Sequence, residues 1–192
     1  MEKARIAILA SGSGTNAEAI MKHFAGSNEI SIVLLLSNNP KAYALERARR
    51  FGVTTQVFSR EEFHSATRVL EILEHHRVTH IVLAGFLLLV PPSIIRAFPE
   101  RIVNIHPALL PSYGGKGMYG ERVHQAVKAA GDPITGITIH LVNEKFDDGK
   151  ILFQASCPVL VNDTPEQIAE KVHRLEHKHF PAVIEKWVLD LA

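Results

Sequence analysis

Apolar positions along this chain fall into short blocks that switch between two spacings. Arg5-Ile6-Ala7-Ile8-Leu9-Ala10 is a continuous apolar run closed by a Ser/Gly cluster, the signature of a buried strand. From about Thr15 the pattern turns helical, with Ile20 and Phe24 one turn apart. Ile30 to Leu36 predicts a second strand, closed by Ser37-Asn38-Asn39-Pro40, and Lys41 to Phe51 a second helix stopped by Gly52. Thr54 to Phe58 reads as a short strand. Arg60 to His76 reads as one helix, with Phe63, Val69, Leu70 and Leu73 on its apolar face. Thr79 to Gly85 and Arg101 to Ile105 are further strands, separated by a short helix over Pro92 to Phe98. The last third predicts a helix over Glu121 to Ala130 and strands over Ile134 to Val142 and Ile151 to Val159. A final helix opens at Thr164-Pro165-Glu166, a Thr N-cap with Pro at the first helical position.

Strands alternating with helices imply one α/β domain: a mostly parallel twisted sheet with helices on both faces. No repeat, low-complexity tract or linker divides residues 1–192. In such sheets ligands bind beyond the carboxyl ends of the strands, so chemistry is expected in the loops after Ala10, Gly85, Ile105 and Val142.

Composition narrows the function class. A formal net charge of +1 gives no reason to expect a nucleic-acid or membrane surface, which leaves small molecules as the expected partners. Cys157 is the sole cysteine, so neither an internal disulfide nor a thiolate zinc cluster can form; inside an apolar strand beside Pro158 it is expected to be an inert packing residue. The most apolar run, Ile81 to Val90, ends at Pro91-Pro92, well short of the ~20 residues of a membrane span. The N-terminus lacks the long apolar stretch of a signal peptide. A soluble, cytoplasmic domain is the expectation.

Four places could carry chemistry. Ser11-Gly12-Ser13-Gly14-Thr15-Asn16 joins the first strand to the first helix, where glycines allow close approach and free N–H groups attract an anion. Gly12, Gly14 and Ala17 also fit a loose dinucleotide pattern, but Ser37-Asn38-Asn39 offers no acid for a ribose, so phosphate is favoured. Asn104 and His106, two apart at a strand end, face the same way and combine an oxyanion donor with a proton carrier. In Asn143-Glu144-Lys145-Phe146-Asp147-Asp148-Gly149 a carboxylate could hold the imidazole or position a water, although Asp-Asp-Gly is also an ordinary turn. The 11 histidines include His75-His76, His80, and His173 with His177 on one helix face. Without HExxH or a completing carboxylate they read mostly as surface residues, and no metal is expected. No G-x-S-x-G elbow is present, which argues against a serine nucleophile.

The segment Asn104-Ile105-His106-Pro107-Ala108-Leu109-Leu110-Pro111 resembles the folate-dependent formyltransferases. The resemblance runs along nearly the whole chain: the Ser-Gly-Ser-Gly-Thr-Asn loop, Leu45-Glu46-Arg47-Ala48, Ser59-Arg60-Glu61, Ala84-Gly85-Phe86, Gly136 to His140, the Asp147 loop and Glu176-His177. Within that superfamily the glycine loop and single-domain length point to the glycinamide ribonucleotide branch. The resemblance implies a Rossmann-like formyltransferase fold with a catalytic trio of Asn104, His106 and Asp147. By motif position it places the ribonucleotide at Gly14, Thr15, Asn16, His173 and Glu176. It places the folate at Arg60, Leu87, Leu88, Leu89, Val90, Asn104, Asn143 and Glu144, with Arg60 toward the glutamate tail. Residues 1–100 would then bind the nucleotide phosphate and residues 101–192 the folate and the reacting groups.

The implied reaction moves a formyl group from 10-formyltetrahydrofolate, as cosubstrate, to the amine of glycinamide ribonucleotide in purine (IMP) synthesis, by a monomer or homodimer. Two features depart from the commoner pattern: Leu88 stands where some members carry arginine, and Gly114 to Gly120 is a longer loop that breaks up a histidine motif. The rival readings are a formyl-folate hydrolase, which usually has an added N-terminal regulatory domain, and a non-catalytic nucleotide-binding module using only the glycine loop.

Overall fold

In the computed structural model, which describes residues 3–190, the alternating pattern becomes seven strands and seven helices. Along the chain they are β1 (Ala4–Leu9), α1 (Thr15–His23), β2 (Ile30–Ser37), α2 (Tyr43–Arg50), β3 (Thr54–Val57), α3 (Arg60–Ser65) and α4 (Thr67–His75). There follow β4 (His80–Leu83), α5 (Pro92–Ala97), β5 (Ile102–His106), α6 (Glu121–Ala130), β6 (Ile134–Leu141), β7 (Ile151–Pro158) and α7 (Pro165–Asp190). The strands form one sheet in the order β3-β2-β1-β4-β5-β6-β7. β3, β2, β1, β4 and β5 run parallel; β6 and β7 are antiparallel additions at one end.

Period-two alternation sorts the side chains of β1 onto two cores. Ile6 and Ile8 join Ala17, Ile20, Leu45, Val172 and Phe180 beneath α1, α2 and α7. Ala7 and Leu9 join Phe63, Val69, Leu73 and Ile94 beneath α3, α4 and α5. Each fully buried Ile or Leu contributes roughly 1.5–3 kcal/mol, so a chain with apolar residues on both strand faces settles only as a covered sheet.

The expected single helix over Arg60 to His76 is two. Ala66, at φ 62°, ends α3 and precedes α4, and its buried methyl group fills the core between them. Ser59 opens α3 with a reciprocal capping box to Glu62. α7 has the same device: Thr164 Oγ1 accepts from Gln167 N, and Thr164 N donates to Gln167 Oε1. No helix of the described residues is long and apolar enough to cross a membrane.

Two features of this topology aim the site. Asn104 and His106 lie on β5, next to the point where pairing changes from parallel to antiparallel. The β5–β6 register then sets His140 opposite Asn104 and Thr138 opposite His106.

Candidate active site

The four expected loops converge on one cleft of about 650 Å³ at the carboxyl ends of the parallel strands. Its walls include Ser11 to Asn16, Gly85 to Leu87, Asn104 to Pro107, Gly115 to Gly120, Phe146, Asp147, His173 and Glu176. Both halves of the chain contribute, so the glycine loop and the Asn104, His106 and Asp147 side chains share one space.

Gly14 sits at φ 75° and is buried against α2, where an added Cβ would lie 2.5 Å from Ala44 Cα. Only glycine fits both the backbone and the space. As the residue before α1 it offers no side-chain cap, which leaves the first-turn N–H groups open toward the cleft. The Ser37-Asn38-Asn39 turn, devoid of acid, braces this loop: Ser11 Oγ donates to Asn38 Oδ1 at 2.7 Å and Asn39 Nδ2 to the Ser11 carbonyl at 3.3 Å. Arg47 adds a bond to the Ser13 carbonyl and an ion pair with Glu18.

Asn16 Nδ2 donates to Glu176 Oε2 at 2.8 Å, linking α1 to α7. Burial pushes the Glu176 carboxyl above its ordinary pKa, with the Asn16 amide opposing. His173, one turn before Glu176, lies with its ring 6.4 Å from that of His124 on α6. His124 is almost wholly buried, its Nδ1 has no partner, and burial drags its pKa down to about 4.

At the far wall the expected trio meets. Asp147 Oδ2 lies 3.5 Å from His106 Nδ1 and accepts the Gly115 N–H at 3.0 Å. Its Oδ1 faces His140 Nε2 at 3.6 Å and Asn104 Nδ2 at 3.5 Å. Asn104 Nδ2 is also 3.1 Å from His140 Nε2, so a fourth residue supports the group. His140 Nδ1 lies 2.8 Å from the Leu141 carbonyl, and its Nε2 faces both the Asn104 amide and Asp147 Oδ1. His106 Nε2 lies 2.8 Å from the Tyr113 carbonyl, which accepts its N–H and leaves Nδ1 as the nitrogen that exchanges a proton.

Burial lowers the His106 pKa, against the opposing pull of the Asp147 charge and the Tyr113 carbonyl. For Asp147 burial works upward, but His140, His106 and the Gly115 N–H outweigh it and hold the carboxyl below its usual range. A neutral imidazole beside an ionised carboxylate is the resting state at neutral pH.

Arg60 and Leu87 line the cleft; Leu88, Leu89, Val90, Asn143 and Glu144 do not. Val90 is buried in the core under α5, and Leu88 packs against it. Asn143 donates to Asp148 and caps the Lys145 N–H, while Glu144 lies 4.0 Å from Arg96. Cys157 is half-buried rather than enclosed, and burial raises its thiol pKa, which keeps it protonated. The ring centroids of His173 and His177 are 6.5 Å apart. Among the described residues no three His, Cys, Asp or Glu are grouped to hold a metal ion. Sequence reasoning missed His140, His124, Tyr113 and Gly115. The alternation Thr138-Ile139-His140 on a strand pairing with Asn104 was the signal available for His140.

Residues 4–184 match the family model described as Formyl transferase, and the chain belongs to that family. It is 35% identical over 187 residues to the phosphoribosylglycinamide formyltransferase of Bacillus subtilis, covering 95% of this chain and 93% of that one. It is 40% identical over 186 residues to the chloroplastic phosphoribosylglycinamide formyltransferase of Arabidopsis thaliana, covering 94% of this chain. This chain spans only 64% of that plant protein's length. Among solved structures, phosphoribosylglycinamide formyltransferase from Brucella melitensis superposes with a TM-score of 0.87 at 36% identity, covering 97% of this chain and 96% of that one.

Proposed function

We propose that the chain transfers the formyl group of 10-formyltetrahydrofolate to the primary amine of glycinamide ribonucleotide, a step of purine synthesis. The observation that carries this reading is the meeting of Asn104, His106 and Asp147 in a cleft whose other wall is an open, glycine-led helix start. Such a cleft can hold an anionic phosphate at one end and a reacting carbonyl at the other.

The amine lone pair forms the new C–N bond at the formyl carbon, and the carbonyl oxygen takes up the displaced electron pair. His106 Nδ1, neutral at rest, takes the proton shed by the attacking amine, and the imidazolium so formed joins Asn104 Nδ2 in donating to that oxyanion. Collapse breaks the bond to N10 of the folate, so the net proton movement is from amine to N10. Asp147, ionised and 3.5 Å from Nδ1, stabilises the imidazolium while it carries that proton. Gly14, Thr15 and Asn16 anchor the phosphate, and Glu176 with His173 the ribose. Arg60 and Leu87 are assigned to the folate side, and so by motif position are Leu88 to Val90, Asn143 and Glu144, which lie outside the cleft wall itself; contact at Leu88 is through backbone rather than side chain. Residues 1–100 thus supply the phosphate loop and residues 101–192 the reacting groups. No step requires a metal or a covalent enzyme intermediate. We place the protein in the cytoplasm, on its single cysteine, as a monomer or homodimer.

The test mixes protein, glycinamide ribonucleotide and 10-formyl-5,8-dideazafolate and follows deformylation by absorbance. Nucleotide-dependent deformylation lost in His106→Ala is the expected result. Equal deformylation without nucleotide would replace this reading with the hydrolase, and phosphate-ligand binding without deformylation would leave the binding module.

A further inference from the structure

The cleft is lined by two basic side chains, Arg60 and Lys116, and neither has a carboxylate within 4.0 Å among the described residues. The anions of the cleft are otherwise engaged: Asp147 with Gly115 and the two histidines, Glu176 with Asn16. Two uncommitted cations in a cleft argue for anionic groups on the ligands, one for each.

Which cation serves which end follows from the helices they adjoin. Arg60 begins α3, on the sheet face covered by α3, α4 and α5. Lys116 lies on the Gly114 to Gly120 loop, which feeds α6. α6 packs against α7, and α7 against α1, on the opposite face. From α6, which this loop enters, contacts run on to the glycine loop: His124 on α6 to His173 on α7, then Glu176 on α7 to Asn16 on α1. The Lys116 loop therefore spans the cleft, tied through Gly115 to Asp147 and through α6 to the side that holds Gly12 to Asn16.

The loop is also built to be held. Gly115 and Gly117 have φ of 97° and 90°, a turn that side chains other than glycine rarely enter. Met118 N donates to the Gly115 carbonyl, and Arg122 stacks over Tyr119 with its guanidinium 5.2 Å from the ring centroid. Lys116 stands on this turn beside the Gly115 N–H that holds Asp147.

We propose that Lys116 is a second phosphate ligand, closing over the phosphate bound at Gly14 to Asn16, and that it sets preference for a 5′-phosphorylated substrate. This inference rests on the ribonucleotide reading of the cleft. Because the neighbouring residue holds Asp147, seating the phosphate on Lys116 also steadies the carboxylate that serves the reaction. Phosphate contact then appears in turnover as well as in binding.

The test measures the affinity of glycinamide ribonucleotide, and of the riboside lacking its phosphate, by calorimetry for the intact protein, Lys116→Met and Lys116→Arg. Losing one charge-assisted contact should weaken ribonucleotide binding roughly 10- to 100-fold in Lys116→Met, leave riboside binding within about twofold, and be largely restored in Lys116→Arg. Equal weakening of both ligands, or no weakening of the ribonucleotide, would overturn the assignment. A loss that instead tracks the glutamate tail of the dideazafolate would move Lys116 to the folate end and overturn it likewise. Turnover is assayed in parallel, so that normal binding without formyl transfer counts against the transferase reading alone. Failure of the intact protein to bind any phosphorylated ligand would remove both.

Discussion

Asn16 and Glu176 are 160 positions apart, yet Asn16 Nδ2 donates to Glu176 Oε2 at 2.8 Å at the floor of the cleft. The bond joins the first helix to the last and fixes the start of α1 against α7. Glu176 is only 5% exposed, so removing its partner would strand a buried carboxyl. Asn16→Ala is expected to destabilise the fold by about 1–3 kcal/mol and to weaken ribonucleotide binding. Chemical denaturation together with ligand titration checks both, and an unchanged midpoint would mean the pair contributes nothing measurable.

Asn104→Ala removes the side chain that the proposed mechanism uses as a donor to the developing oxyanion. Turnover should fall by about 10²- to 10³-fold, with unchanged circular dichroism. His106→Ala and Asp147→Ala should also lose turnover sharply while remaining folded. Near-normal turnover in Asp147→Ala would strike that residue from the mechanism.

Asp147→Asn separates charge from shape. The Asp147 charge raises the His106 pKa against burial, so removing it should move the titration of His106 to still lower pH. An NMR titration of the ring reads this directly, and the acid limb of kcat/KM should follow. An upward movement would show that the carboxylate does not act on His106 as its position implies.

Acid should destabilise the fold through two histidines outside the trio. His80 packs edge-on against Trp187 at 5.1 Å, its Nε2 is buried without a partner, and burial lowers its pKa to about 4, as it does for His124. Both folded-state values lie below the unfolded value, so each stabilises fully above about pH 6.5. That contribution declines as pH falls through about 6.5 and is gone below about 4, at most about 3 kcal/mol per group. Urea midpoints from pH 7 to pH 4 should show the decline, and His80→Phe should flatten it. A variant with the same slope as the parent would exonerate His80.

Gly14→Ala should be costly at both levels. Besides the positive φ, the new methyl would meet the α2 backbone at Ala44. A lower melting temperature with weaker ribonucleotide binding is expected; an unaffected variant would show that this loop relaxes freely.

Much of the fold was legible because strand and helix spacings are local properties. Asn104 and His106 could be placed on one face of one strand from their separation alone, and the four strand-end loops that line the cleft followed from the α/β pattern. What escaped depends on partners distant in the chain. Nothing near Ala66 marks a helix break, since no glycine or proline stands there; the break is held by core packing. The Ser37-Asn38-Asn39 turn was informative by its missing acid, but its work as a brace for Ser11 appears only when two strands pair. His140 reaches Asn104 through an antiparallel register, and Tyr113 acts through its backbone carbonyl, to which side-chain identity gives no clue.

The antiparallel hairpin that follows β5 has a consequence for assembly. β1 to β4 and the glycine loop can organise from neighbouring segments, with the bracing turn only a few dozen residues away. Asp147 rides at the tip of the β6–β7 hairpin and joins Asn104 and His106 only once that hairpin docks. During synthesis the glycine loop is therefore made well before the carboxylate that pairs with His106. On the proposed reading, a chain halted before that hairpin would carry the glycine loop and His106 but lack the carboxylate that serves the imidazole.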